Sequence, residues 1–517
     1  MSVGYENIFR FPPYTNNWRA VSGGWPEPPW FEHRARRTPW SERLGSRTGY
    51  WVVALALLFT MATSTLPTPL YVLYQRRDHF SSFMVSVVFA AYAAGVIVSL
   101  FLVGHVSDWL GRRRVMATGL FMNVASAFLF VIEPGLAGLI VARVISGLSI
   151  GLTTATATAY LAELHLRAHP DASRRRAQVL AIAVNLGGIG LGPLIAGLLA
   201  QFAPAPLVLP YVVVGLLLAL LATLVLATPE TVAPPATRPR WRPQHVVVPV
   251  DARGQFVAAC LAGLAAFSVL GVFSSLVPRF LAVTMGNTSL AVAGTVAFTV
   301  FASGALAQTA LSPLSPARLL HVGSPLLLAG LAALVTGMWV TNLAVFMVGT
   351  IVTGAGTGLV FRGALATAGD SAPPESRAET LAGFFLAAYV GLSIPVVALG
   401  FASSFASPRV LMLLFVVAVA LAIVASVRTM SNELRRSDVR APLSENTLSL
   451  ANLSSIVTSK CVAGTKRSSD TRATPWPRRS VGSGVALRSS TRRTSEPGPT
   501  RASASVSAID SPQGGGR

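Results

Sequence analysis

Twelve separate runs of largely apolar residues dominate the 517-residue sequence. They lie near residues 51–74, 82–107, 115–132, 136–160, 177–202, 207–227, 256–277, 289–311, 320–340, 342–367, 380–404 and 408–428. About 20 apolar residues in an α-helix cross the hydrocarbon of a bilayer. No water reaches the backbone there, so only helices and closed barrels satisfy its hydrogen-bonding groups. The runs are continuously apolar and do not alternate with period two, which excludes a barrel. The third run is short, and the ninth and tenth nearly abut at Trp339 to Asn342. Twelve crossings are expected; one re-entrant run would make eleven.

Composition excludes the competing classes. Residues of the AVILMFWYC class make up 52% of the chain and Asp, Glu, Lys and Arg only 12%, against about 25% charged residues in average soluble domains. A string of soluble domains could not cover its surface with so few charges. The net charge of +21 is spread between apolar runs and not gathered on one face, so no nucleic-acid partner is expected. Cys260 lies in an apolar run and Cys461 in a polar tail. They are not expected to pair, no zinc spacing exists, and no metal or cofactor is expected. The first 49 residues lack the apolar core of a signal peptide.

Loop arginines sort by side. With both termini on one side, the connections on that side carry Arg112, Arg113 and Arg114, then Arg167, Arg174, Arg175 and Arg176, then Arg238, Arg240, Arg242 and Arg253, then Arg318, Arg362 and Arg377. The other side carries Arg76, Arg77, Arg279 and Arg409. The bias of Arg toward cytoplasmic loops places both termini in the cytoplasm, in a multi-pass protein of the inner membrane.

The expected organisation follows. Residues 1–49 form a disordered cytoplasmic extension, 50–228 a first six-helix bundle, 229–254 a Pro-rich cytoplasmic linker, 255–428 a second bundle and 429–517 a disordered basic tail. The halves echo each other. Phe89 to Gly95 on span 2 matches Phe298 to Gly304 on span 8, and Gly147 to Gly151 on span 4 matches Gly354 to Gly358 on span 10. Arg176 to Ala181 before span 5 matches Arg377 to Ala382 before span 11. Each pair lies six crossings apart and keeps its orientation, a parallel repeat of the kind that rocks around a midplane site.

The sharpest motif is Gly104-His-Val-Ser-Asp108-Trp-Leu-Gly111-Arg112-Arg113-Arg114, between spans 2 and 3. Gly104 allows close helix contact, Asp108 can accept from a helix N-terminus or pair with arginine, and Gly111 permits a tight reversal. The loop resembles the G-x-x-x-D-R-x-G-R-R signature of the major facilitator superfamily. Trp109 stands where that family usually has arginine, and the corresponding loop from Leu311 to His321 lacks the acid and the glycine. The resemblance covers about residues 50–428. It implies an all-α membrane protein of two six-helix bundles, with Gly104, Asp108, Gly111, Arg112 and Arg113 acting as a conformational latch. A topology signal is the simpler reading of the arginines.

Arg143 lies in the apolar fourth span, in Arg143-Val-Ile-Ser-Gly147-Leu-Ser-Ile-Gly151. A buried cation faces a bundle interior, whereas one near a helix end snorkels to the interface. The pattern resembles the family's span-4 motif, whose arginine is linked to proton coupling in its drug–proton antiporters. Span 5 carries Gly188, Gly190, Gly192, Pro193 and Gly197, similar to the family's antiporter motif. Helix packing by small residues explains Gly147, Gly151, Gly188, Gly192 and Gly197 equally well. Thr228-Pro229-Glu230-Thr231 resembles the family's terminator of span 6 and is a helix stop in any case.

Polar residues within the spans are the remaining candidates for coupling or substrate contact: Thr63, Thr68, Tyr71, Asn123, Thr154, Asn185, Gln308 and Tyr389, with Arg143 and Glu163. Hydroxyls often bond back to their own helix, so each alone reads first as structural. No Asp or Glu lies deep in spans 1, 7, 8, 10 or 11. Gly147-Leu-Ser149-Ile-Gly151 matches a hydrolase elbow by letter, but it sits inside an apolar helix without a preceding strand, and no enzyme is expected. The expected function is secondary active transport of a small organic solute by a monomer in the bilayer, with proton-linked efflux first. Proton symport of a sugar or organic acid is the alternative. From another class, a transport-inactive sensor or scaffold stays open.

Overall fold

A computed structural model describes residues 44–103, 106–171, 174–232, 252–373, 376–430 and 432. Among them every regular element is a helix, and twelve helices are long and apolar enough to cross a membrane. In chain order the helices are α1 Ser46–Thr65, α2 Tyr71–Asp78, α3 Ser82–Val103, α4 Ser107–Leu110, α5 Arg112–Ile132, α6 Leu136–Ala168, α7 Arg174–Phe202 and α8 Leu209–Leu226. The second half contains α9 Arg253–Ser275, α10 Val277–Thr284, α11 Leu290–Ala310, α12 Pro316–Trp339, α13 Leu343–Asp370 and α14 Arg377–Ala402, followed by α15 Pro408–Met430. Helices α2, α4 and α10 are too short to cross.

Local chemistry explains the boundaries that differ from the sequence reading. The first run does not continue to residue 74: α1 stops at Thr65, a turn follows, and α2 begins at Tyr71. Pro67 and Pro69 remove two backbone donors there. The abutting ninth and tenth runs are two helices because Thr341 takes a left-handed conformation at φ 53°. Asn342 then caps α13, its Oδ1 accepting from Ala344 N at 2.9 Å and Val345 N at 3.1 Å. Helix α6 has 33 residues, about 50 Å at 1.5 Å per residue, so its last turns reach past the roughly 30 Å hydrocarbon. The expected linker at 229–254, the terminal extension and the tail fall largely outside the described residues.

Each half builds its core from paired helices. In the first, α3 packs on α6, α5 on α6 and α8, and α1 on α7. In the second, α11 packs on α13, α12 on α13, and α9 on α14. The repeat is visible at atomic contact. Gly95 of α3 meets Val144 O and Gly147 of α6, while Gly304 of α11 meets Gly354 O and Gly358 of α13. Small residues let both pairs of backbones approach closely. The halves meet through α7 against α11 and α3 against α14.

Candidate functional site

The face on which α3 ends and α5 begins, called here the terminal face, carries a polar cluster. Gly111 has φ +94°, a conformation that side chains rarely adopt, and it turns the chain from α4 into α5. Glu230, beyond α8, caps the new helix: Oε1 accepts from Arg112 N at 2.9 Å and Oε2 from Arg113 N at 3.2 Å. A carboxylate there satisfies two orphan donors and opposes the positive end of the helix dipole. The Arg112 guanidinium lies 2.6 Å from Asp108 Oδ1 and 3.2 Å from Glu163 Oε1. It also donates to Ser107 Oγ at 2.6 Å. Glu163 Oε2 accepts from Thr231 Oγ1 at 2.5 Å, and Arg167 donates to the carbonyls of Glu230 and Thr231, each at 2.8 Å.

Every partner just named belongs to the first half, so the cluster braces α4, α5, α6 and the end of α8 against one another. The Asp108 side chain is 62% exposed. Gly104 lies outside the described residues. Glu230 was legible in the sequence only as a helix stop; its distance of 118 residues from Arg112 hid its capping role.

Arg143 is fully buried, not snorkelled. Its Nη1 donates to Ser64 O at 2.5 Å, and Nε and Nη2 donate to Tyr71 Oη at 3.0 and 2.5 Å. The rings of Tyr71, Phe89 and Tyr92 lie 5.3 to 5.7 Å from its guanidinium carbon. Cation–π attraction of this kind, about 2 kcal/mol when desolvated, offsets part of the burial cost. No ion pair to Arg143 occurs among the described residues.

Between the halves lies a cavity of about 450 Å³. Of the sequence candidates, Thr154, Asn185, Gln308 and Tyr389 line it. Thr63, Thr68, Tyr71, Asn123, Arg143 and Glu163 do not. Asn123 instead ties α5 to α1, its Nδ2 donating to Thr63 Oγ1 at 2.6 Å and Thr60 O at 3.4 Å. Thr68 is buried in the turn after α1, where its hydroxyl has no partner among the described residues. Thr154 Oγ1 donates back to Ile150 O at 2.7 Å, so even a lining hydroxyl is partly spent on its own helix.

The walls are chiefly aromatic and aliphatic. Phe267 of α9 stands 5.0 Å from Phe361 of α13 and 5.4 Å from Tyr389 of α14, ring to ring. Phe385 adds a fourth ring 6.4 Å from Phe361. Arg362 also lines the cavity and donates to the carbonyls of Gln308 and, at 3.3 Å, Ser312. Arg362, expected with the loop arginines, stands instead within α13, which runs on to Asp370, two turns before its end and at the cavity wall. An arginine among apolar residues within the tenth run was the available signal. The aromatic wall carried no signal apart from ordinary core composition.

The opposite face is sealed. Arg279, on α10, donates to Ser82 Oγ at the start of α3 and to Ser403 Oγ after α14 at 3.1 Å, joining the halves. Arg279, expected on an exposed connection, is half-buried against these helix ends. Gly400 sits directly against Ser86. Gln201 Oε1 accepts from Leu290 N at 2.9 Å, linking α7 to α11. The remaining glycine candidates are packing points: Gly147 and Gly151 meet α3, Gly188 and Gly192 meet α1, and Gly197 meets α11 beside the Pro193–Gly294 contact. The cavity reaches the exposed Thr158 and Ile182 in the half nearer the terminal face.

The family model described as Major Facilitator Superfamily matches residues 52–336. An uncharacterised MFS-type transporter of Bacillus subtilis is 34% identical over 100 residues, 19% of this chain and 26% of that protein. The arabinose-proton symporter of Bacillus subtilis is 31% identical over 83 residues, 16% of this chain and 18% of that protein. A human facilitated glucose transporter of solute carrier family 2 is 32% identical over 134 residues, 23% of this chain and 26% of that protein. The chain thus spans about a fifth to a quarter of the length of these curated relatives. Among solved structures, a bacterial homologue of the human lysosomal transporter Spinster, in an inward-facing and unoccupied conformation, superposes with a TM-score of 0.55 at 15% identity. That match covers 77% of this chain and 98% of the other. A nucleoside transporter superposes with a TM-score of 0.58 at 12% identity, covering 74% and 99%. At such identities the likeness shows the fold.

Proposed function

The chain belongs to the Major Facilitator Superfamily, and from that premise we propose that it is a secondary active transporter moving a small organic solute by alternating access. The observation that carries this reading is the cavity between the two halves, beneath a seal that Arg279 closes on one face only. Alternating access requires a second state in which that seal opens and the terminal face closes. A solute or ion must then prefer one state over the other. Asp108 and the Arg112–Arg113 pair latch the terminal face in the second state, and both termini lie in the cytoplasm of a bacterial inner membrane, so the present state faces inward. Export linked to protons is the first assignment of direction. It is supported by the similarity of Arg143 and the glycine–proline series on α7 to the antiporters of the family. The protein works as a monomer.

Uptake by proton symport is a second reading. The matched segment of the arabinose-proton symporter favours it, while the largely apolar lining gives a sugar few hydrogen-bonding partners.

The test is reconstitution of the full chain in proteoliposomes with a panel of labelled solutes, with and without a pH gradient. Gradient-driven accumulation of one solute is expected, and its sign assigns the direction. Absence of both accumulation and counterflow across the panel, from protein that is monodisperse and correctly inserted, overturns the transporter in favour of a sensor or scaffold. Thiol labelling of Arg113→Cys and Arg175→Cys from the two sides tests the topology, and opposite sidedness overturns it.

A further inference from the structure

We infer that the solute is a neutral molecule with a flat apolar body and one amide-like group, the group read by the carboxamides of Asn185 and Gln308 from opposite halves and the body laid on the ring wall; this rests on the transporter reading above.

The state of the lining polar groups carries the argument. Several lining hydroxyls are already spent on main-chain carbonyls: Ser64 donates to Met61 O, Thr65 to Ile189 O, Thr154 to Ile150 O and Thr158 to Ala155 O. Asn185 of α7 and Gln308 of α11 also line the cavity, and neither carboxamide makes a hydrogen bond among the described residues. Gln308 is only 4% exposed. Buried polar groups are almost always paired, and the cavity is the place from which a partner comes. Thr357, one turn before Phe361 on α13, adds a buried hydroxyl without a partner among the described residues.

The two carboxamides lie close along the axis. Gly197 of α7 meets Leu290 O and Gly294 of α11, and Gly190 meets Phe298 O and Phe301, so these helices run antiparallel. That register sets Asn185 within about one turn of Gln308, one on each half. A carboxamide offers an acceptor and two donor hydrogens, so it pairs with an amide, lactam or urea edge through complementary bonds.

Ions fit this wall less well. None of the lining residues is Asp, Glu, Lys or His, so a cation finds no carboxylate. Arg362 donates to the main-chain carbonyls of Gln308 and Ser312, so its guanidinium is engaged with the protein. An ion leaving water loses hydration that carboxamides do not replace, whereas a neutral amide regains hydrogen bonds from them. Phe267, Phe361, Phe385 and Tyr389 then cover the flat body by ring contact. The cavity of about 450 Å³ admits two fused rings with a short arm.

Four probes share one body and differ in the group on the arm: 1-naphthaleneacetamide, methyl 1-naphthaleneacetate, 1-naphthaleneacetate and 1-naphthylmethylammonium. Their binding to the full chain in detergent is measured by calorimetry, and their exchange by counterflow in proteoliposomes. The wild type is expected to bind the amide about tenfold more tightly than the ester, which cannot donate, and than either ion. Gln308→Met and Asn185→Leu keep the bulk and remove the carboxamide. Each is expected to lose the preference for amide over ester while its ester affinity stays within about twofold of wild type. If one variant does not stay monodisperse, the other variant and the wild-type preference decide. A purely structural role for these residues would lower affinity for amide and ester alike. That outcome overturns the inference, as do equal binding of amide and ester, a preference for either ion, and no binding of any probe by monodisperse wild type. Amide-selective binding without counterflow upholds the solute class and counts against transport. Counterflow without amide preference upholds transport and removes the solute class.

Discussion

Arg143 and Tyr71 form a buried pair in which one phenol oxygen accepts two hydrogen bonds from one guanidinium, at 2.5 and 3.0 Å. The two residues are 72 positions apart, on α6 and at the first residue of α2. The pair therefore fixes the chain just after the proline-interrupted turn that ends α1. The guanidinium is thus held inside the first half by a phenol, a carbonyl and three rings.

Replacing Tyr71 by Phe keeps the ring and removes the acceptor. The buried guanidinium then keeps Ser64 O as acceptor for Nη1 but loses the acceptor of Nε and Nη2, and the variant is expected to lose about 2 kcal/mol of stability. Thermal unfolding of detergent-purified protein measures this. A midpoint equal to that of the wild type would show that Tyr71 Oη contributes nothing.

Gly111 and Glu230 are expected to behave as one unit. Glu230→Ala exposes two donors at the start of α5 and should cost about 1–2 kcal/mol. Gly111→Ala places a Cβ 2.6 Å from Glu230 Oε2, at a φ of +94°, and should displace the same carboxylate. The double variant is expected to be less destabilised than the two single losses together. Strict additivity in the unfolding free energies would separate the two residues.

Asp108→Asn is expected to slow counterflow several-fold while insertion and thermal stability stay close to wild type. The side chain is 62% exposed, and exposed ion pairs contribute about 0–1 kcal/mol, so its effect should appear in turnover and not in folding. Wild-type rates in this variant would take Asp108 out of the mechanism.

Arg279→Ala removes bonds to Ser82 and Ser403 and should loosen the sealed face. In a background carrying Cys260→Ser and Cys461→Ser, Ser64→Cys is expected to react faster with a membrane-impermeant thiol reagent added from that face when Arg279 is absent. An unchanged labelling rate would show that the α7–α11 and α3–α14 contacts close the face without it.

The twelve crossings, the repeat of the halves and the α3–α5 motif were readable in the linear sequence because the bilayer imposes a one-dimensional rule of about 20 apolar residues per helix. Helix ends were less readable where a local break or an overshoot intervened, as at Pro67 and Pro69 or in the long α6. Which polar side chains face the cavity was not written in the chain at all. A helix that is apolar on every side gives no polar stripe from which to read its rotation. Thr63 and Ser64 are adjacent in sequence, yet Ser64 lines the cavity and Thr63 bonds to Asn123 behind it. Packing against neighbouring helices sets that rotation. Packing alone also carries Glu230 to the start of α5, Arg279 across both halves and Arg362 into the cavity. Lipid as solvent dictated that the chain be a bundle of spanning helices; the fit of one helix against the next decided which of its few charges could meet a solute.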